Sequence, residues 1–207
     1  SEFYARSFTV CQLAVPSSSR DDTSPWLSAE PEALTLMQKV LGSNSYRART
    51  GVFTGDANAV YWLNISDKKG ELLEVKNITD RAKRKAENIT ALIEKDYVYP
   101  LVRGGDVHRW SYTYSGYILC PHTAETKLRP VPGHRLEAEC PLSYQYLMNF
   151  RKELDERQGF AGWEKSIQQQ NFYALLRIGE YSFSKYKVVW RYIAGEFICS
   201  VIGSAND

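Results

Sequence analysis

The sequence has no apolar run approaching the roughly 18 to 20 residues that a bilayer crossing requires, and its start carries neither the basic opening nor the apolar stretch of a secretory signal. A soluble, cytoplasmic chain without membrane association is the expectation. Paired cysteines are also missing. Cys11, Cys120, Cys140 and Cys199 are scattered with no Cys-x-x-Cys spacing, which argues against a disulfide scaffold and for reduced thiols. Nor is there an excess of charge: 26 basic against 24 acidic residues leave a formal +2, so a nucleic-acid surface could arise only by local clustering. The sequence lacks Gly-x-Gly-x-x-Gly, a Walker loop, a Gly-x-Ser-x-Gly elbow and His-Glu-x-x-His, and with them the usual carriers of dinucleotide, nucleotide, serine-hydrolase and zinc-protease chemistry. No internal repeat is visible. The sequons at Asn64, Asn77 and Asn88 read as chance in a chain with no secretory route.

What is present reads as a folded chain of strands, turns and helices. Phe8 to Val15 has the β-branched and aromatic texture of a strand that stops at Pro16, and a Ser-rich, charged loop follows to Ser24. Ala33, Leu34, Met37, Val40 and Leu41 recur at helical spacing between Pro31 and Gly42. Tyr46 to Ile65 reads as strand, turn, strand, with Thr50, Gly51, Thr54, Gly55, Asp56 and Asn58 in the turn. Glu71 to Lys76 reads as a short strand, and Asp80 to Asn88 as a basic helical turn with Arg81, Lys83, Arg84 and Lys85, either a solvated face or a phosphate contact. Tyr97 to Val102 and Tyr112 to Leu119 read as strands around the loop from Arg103 to Arg109. Its adjacent glycines permit positive φ. Pro121 to Glu139 is polar and proline-punctuated. Pro141 to Arg157 then reads as one amphipathic helix ending at Gly159, and short strands are expected around Tyr173 to Ile178, Tyr186 to Tyr192 and Phe197 to Ile202.

Two constellations could carry chemistry. Asp56 or Asp67 with Glu74 and Lys76 has the layout by which some nucleases hold magnesium, although a Glu and a Lys alternating on a strand also describe a plain solvent face. Cys120, His122, His134 and Cys140 are zinc-ligand types within one segment, but the spacing lacks two close ligand pairs.

The most distinctive stretches are Tyr46-Arg-Ala-Arg-Thr-Gly-Val-Phe-Thr-Gly55 with Asn58, and Tyr99-Pro-Leu-Val-Arg-Gly-Gly-Asp-Val-His-Arg-Trp110. Together they resemble the TaqI-like C-terminal specificity domain, the target-recognition domain of type IIG and related restriction-modification adenine-N6 DNA methyltransferases. Gly51, Thr54, Gly55 and Asn58 match its first motif. Tyr99, Pro100, Arg103, Gly104, Asp106, Val107, Arg109 and Trp110 match its second. A Tyr146 to Arg157 run, then Lys187-Val-Val-Trp-Arg191 and Phe197, follow in the family's order, so the similarity spans about Tyr46 to Ile202.

The resemblance implies an α+β fold of short mixed strands in one or two curved sheets with two main helices. Residues 1–45 would pack as an N-terminal strand, loop and helix on a recognition domain of residues 46–207. It implies binding of double-stranded DNA, with catalysis and S-adenosylmethionine in a separate methyltransferase domain of the parent chain, and a parent that could also cleave DNA. The Asn/Asp-Pro-Pro-aromatic element that grips a flipped adenine is missing, as is the cofactor's glycine loop, so no catalytic residue, cofactor or metal is expected in this fragment. The DNA-contacting candidates are Arg47, Arg49, Thr50, Thr54, Asn58, Arg103, His108 and Arg109, with Lys185, Lys187 and Arg191 on phosphates. Gly51, Gly55, Tyr99, Pro100, Gly104, Asp106 and Trp110 would form the framework. Asp106 could cap the loop or pair with Arg103 or Arg109, and Trp110 is expected in the core rather than as a stacking platform. A metal-dependent nuclease using Asp56, Glu74 and Lys76, and a protein-interaction module, are the alternatives.

Overall fold

The computed structural model describes residues 13–42, 45–80, 82–158, 160 and 162–203, and the chain divides into two compact units, Ser1–Ala48 and Arg49–Asp207.

In the first unit, β1 (Leu13–Ser18) and β2 (Asp21–Ala29) pair as an antiparallel ribbon, followed by helix α1 (Pro31–Val40). The stretch through Ser24, expected as loop, is part of this ribbon. Pro16 sits opposite Trp26 beside a register shift, and among the described residues only two strands pair here, so each keeps an edge where a missing N–H costs little. Asp21 accepts hydrogen bonds from the Thr23 amide and hydroxyl, tightening the start of β2. The residues of the expected first strand that precede Leu13, Cys11 among them, lie outside the described residues. Helix α1 forms where its spacing places it, with Pro31 in the first turn, where no amide partner is needed. Only Leu34 on it is buried, while Val40 is 85% exposed.

In the second unit, the short helix α2 (Asn58–Tyr61) leads into β3 (Trp62–Lys69), which pairs with β4 (Leu72–Asn77). Strands β5 (Thr90–Glu94) and β6 (Val98–Leu101) follow. A two-residue pair, β7 (Val107–His108) and β8 (Ser111–Tyr112), precedes β9 (Gly116–Leu119). The main antiparallel sheet runs β5-β4-β3-β9-β6. Helices α3 (Gly133–Glu139), α4 (Pro141–Asn149), α5 (Arg151–Asp155) and α6 (Trp163–Gln170) come next, and the hairpin of β10 (Lys187–Trp190) and β11 (Cys199–Ile202) comes last among the described residues. The fold is mixed α+β, as expected, with four small sheets and six helices among the described residues.

Alternation in β4 sets the core. Leu73, Val75 and Asn77 face inward while Glu74 and Lys76 face out, and Val75 joins Leu63, Ile93 and Leu119 against Tyr146, Leu147, Phe150 and Leu154 from the helices. Each such fully buried aliphatic stabilises the fold by roughly 1.5–3 kcal/mol. The amphipathic stretch from Pro141 is broken at Phe150, which leaves helical geometry (φ −106°, ψ 19°) and is only 2% exposed, so burying that ring outweighs helical continuity. Gly159, read as the helix stop, lies outside the described residues. The strand expected over Tyr173 to Ile178 reduces to one bridge, Phe53 with Leu176.

Asp80 to Asn88 is not helical; Arg81 lies outside the described residues. Asn77, 2% exposed, explains the extended path: its amide nitrogen donates to the Ala59 and Glu87 carbonyls and its oxygen accepts the Ile89 N–H, all at 2.8 Å. That tether replaces helical bonds, and a side chain so engaged leaves no room for a glycan.

The start of α4 depends on Glu94 of β5. Its carboxylate accepts the Leu142 amide (3.0 Å) and the Ser143 amide and hydroxyl (2.8 and 2.7 Å), capping a helix whose own preceding residue, Cys140, has no capping side chain. Burial raises the carboxyl's pKa, but these donors outweigh it and hold it below the usual range. The stability it contributes is therefore present above the unfolded carboxyl pKa and lost as pH falls through the lowered folded value. Glu94→Gln is expected to cost about 1–2 kcal/mol at neutral pH, read from urea unfolding. An unchanged midpoint would remove this cap from the account.

Candidate nucleic-acid interface

The stretch Arg103 to Trp110 leaves the end of β6 and is held from beneath at several points. The Asp106 carboxylate accepts the Arg103 amide (2.6 Å) and the Ser115 hydroxyl, and it forms an ion pair with Arg103 at 3.6 Å. The Asp106 amide donates to the Arg103 carbonyl, closing a 3₁₀ turn over Gly104–Asp106, and the Thr113 amide donates to the Asp106 carbonyl. Further along, the Trp110 amide donates to the Cys199 carbonyl of β11 and Arg191 Nε donates to the Val107 carbonyl at 2.8 Å. The β10/β11 hairpin thus clamps the loop at two points. Arg103 is mostly covered, 5.2 Å over the Trp62 ring, whereas His108 and Arg109 are exposed. Arg109 meets Glu196 at 2.9 Å in a pair open to solvent on both sides.

Several expectations change here. Trp110 is not core: it is 79% exposed, in the left-handed region at φ 66°. Gly104 and Gly105 do not take positive φ, and nothing lies within 4 Å of where a Cβ would stand on either. Their smallness keeps the outer rim of the loop clear. Tyr99, on β6 ahead of the loop, is half-buried and edge-on to Phe183 at 5.7 Å, with burial pushing its hydroxyl up to about 12. Pro100 beside it is exposed.

The Thr50 to Asn58 turn faces inward more than its composition implies. Thr54 is 4% exposed and its hydroxyl donates to Asn58 at 2.6 Å, so the two hold the turn together and the threonine presents no free edge. Gly55 takes φ 67°, and a Cβ there would collide with the Phe160 ring. Its role is close packing within the protein. Thr50 and Gly51 stay exposed.

Of the remaining cations, Arg47 is exposed and belongs to the first unit, and Arg49 stacks 5.3 Å over Tyr181. Lys185 lies over the Tyr186 ring at 5.5 Å. Lys187 points to the half-covered face of β10, where burial lowers its pKa, and Arg191 serves as a brace. Sequence reasoning passed over Arg177, Tyr181, Ser115 and Glu196. The one available signal was an arginine interrupting the apolar run Leu175 to Ile178.

The structure does not assemble the two chemical constellations. Asp56 pairs with Lys83 at 3.4 Å, while Asp67 and Glu74 share Lys69. Glu74 is held below its usual range by the Ser66 hydroxyl and then Lys69. His122 spends Nδ1 on the Lys127 carbonyl and Nε2 on the Leu175 amide, and the buried Cys120 and Cys140 thiols are pushed up to about 12 and about 11 by desolvation. Among the described residues no group of three or more His, Cys, Asp or Glu is placed to hold a metal, and no helix is long and apolar enough to cross a membrane. No family model, curated protein or solved structure matches this chain.

Proposed function

We propose that this chain recognises double-stranded DNA, as the specificity domain of an adenine-N6 DNA methyltransferase whose catalytic domain and S-adenosylmethionine lie elsewhere in the parent. The observation that carries the reading is the braced loop: Asp106, Ser115, Cys199 and Arg191 fix its base, while His108, Arg109 and Trp110 stand in solvent at its rim. Reading base edges needs donors held in place beforehand, because every rotamer frozen on contact subtracts from affinity. Arg109 supplies a planar donor suited to guanine and His108 a second polar edge, while the exposed Lys185, resting over Tyr186, suits a phosphate contact.

Glu196 makes the proposal specific. It competes with DNA for Arg109, so Glu196→Gln is expected to raise duplex affinity about three- to tenfold and Arg109→Ala to lower it by a similar factor, by fluorescence anisotropy on mixed-sequence duplex. Affinity of the unaltered chain should fall at least about tenfold between low and physiological salt. Salt-insensitive binding, or none, would overturn the reading.

A second reading, a protein-interaction module, has one observation behind it. Val188, Val201, Tyr192, Ile193 and Phe197 on the β10/β11 hairpin are each more than half exposed. Replacing Tyr192 and Ile193 with serine while duplex binding stays intact would assign that apolar surface to a protein partner.

A further inference from the structure

Phe53 and Leu176 exchange both backbone hydrogen bonds at 3.0 Å, and Leu176 and Ile178 are 0% and 3% exposed. Arg177, between them, is turned out to solvent with φ 59°, a left-handed conformation that strains a non-glycine residue. The Tyr181 hydroxyl holds the bend, donating to the Arg177 carbonyl at 2.6 Å. The same residues receive two guanidinium groups: Arg177 lies 4.5 Å over the Phe53 ring and Arg49 lies 5.3 Å over the Tyr181 ring. Neither arginine makes an ion pair among the described residues; the acids nearest them in sequence, Asp56 and Glu180, pair with Lys83 at 3.4 Å and Lys127 at 2.6 Å. Gly51, between Arg49 and Phe53, has nothing within 4 Å of a would-be Cβ.

A ring under a guanidinium covers one face, fixes its plane and leaves the N–H edge as the available donor surface, which suits the oxygens of a phosphate. Two such groups, placed by one backbone bridge and one tyrosine, bind an anion without first ordering long side chains. We propose that Arg49 and Arg177 form a two-point clamp for phosphodiester oxyanions, with Phe53 and Tyr181 as its backing. The clamp deepens the DNA reading by naming a backbone contact, and it rests on that reading only for duplex DNA as the source of the phosphates.

The test compares the chain with R49A/R177G on two probes, mixed-sequence duplex and base-free inorganic polyphosphate. Glycine accepts φ 59° without strain, so the variant is expected to keep its melting midpoint. On duplex, the slope of log affinity against log salt should become shallower by about 2, since each lost phosphate contact removes about 0.9. On polyphosphate, affinity should drop at least about tenfold. An unchanged slope together with unchanged polyphosphate affinity overturns the clamp and leaves DNA recognition standing. Polyphosphate binding that the variant loses, without duplex binding by either protein, supports the clamp and overturns DNA recognition. No binding of either probe by the unaltered chain overturns both.

Discussion

Arg157→Met is expected to destabilise the second unit by about 3–5 kcal/mol, the largest effect of any single substitution considered for this chain. Arg157 is 5% exposed and has no carboxylate partner among the described residues. Its guanidinium instead donates to four backbone carbonyls, those of Leu154 (2.9 Å), Thr54 (3.1 Å), Ala174 (2.8 Å) and Phe172 (2.6 Å), and lies 4.9 Å over the Phe160 ring. Methionine would fill the space but return no donor. The Leu154 carbonyl would keep Gln168, while those of Thr54, Phe172 and Ala174 would lose this donor in a buried setting. An orphaned buried acceptor costs about 1–3 kcal/mol, and local relaxation recovers part of the sum. Lysine should rescue less than half, since a single ammonium cannot span a planar set of four oxygens. Arg151→Met is the control: Arg151 is half exposed and paired with Asp155, so about 1 kcal/mol or less is expected. Equal losses for the two variants in urea unfolding would show that Arg157 is not the pin described here. The consequence reaches the candidate interface, because the Thr54 carbonyl belongs to the turn that follows Arg49 and carries Asn58.

That pin also shows where sequence reading stops. The α+β class, helix α1 and strands β4, β6 and β9 were legible, because their signals are local: a 3.6 spacing after Pro31, and alternation through Leu73, Val75 and Asn77. The Arg103 to Trp110 loop was legible as distinctive, and Asp106 does cap it. What decides the rest is long-range. Asn77 straightens a basic stretch that looks helical by capturing Glu87 and Ile89. Phe150 breaks a helix because its ring has a better place in the core. Trp110 is exposed because its backbone turns left-handed where its amide reaches Cys199, a partner far along the chain. Thr54 and Gly55 have the composition of a surface turn, yet they lie beneath Phe160 and Arg157, whose approach no spacing announces.

Acid is expected to weaken the fold in two separable steps, and His122 sets the first. Its ring is 0% exposed, and its bonds define the neutral tautomer: Nδ1–H donates to the Lys127 carbonyl (2.8 Å) and Nε2 accepts the Leu175 amide (3.0 Å). Desolvation is the main cause of its depressed pKa, down to about 4 from 6.5, against a smaller opposing effect of the Lys127 bond. A proton on Nε2 would remove the acceptor for Leu175 and bury a charge that no acid among the described residues offsets. Between these two values the unfolded chain binds a proton that the folded chain refuses, so stability falls as pH drops through that window. At about 1.4 kcal/mol per unit, the loss from neutral pH to pH 5 is about 2 kcal/mol, reaching about 3 at the lower limit. The Glu94 cap adds a second loss, which starts only as pH falls into the ordinary carboxyl range and runs on towards its lowered folded value. Urea unfolding across this range, with His122→Gln for comparison, isolates the histidine: the variant is less stable at pH 7 but should have a flatter profile above pH 5. The His122 ring protons should show no titration by NMR until near pH 4. A midpoint close to 6.5, or equal slopes in the two proteins, would mean that this ring accepts a proton in the folded state and that the bond to Leu175 is not what keeps it neutral.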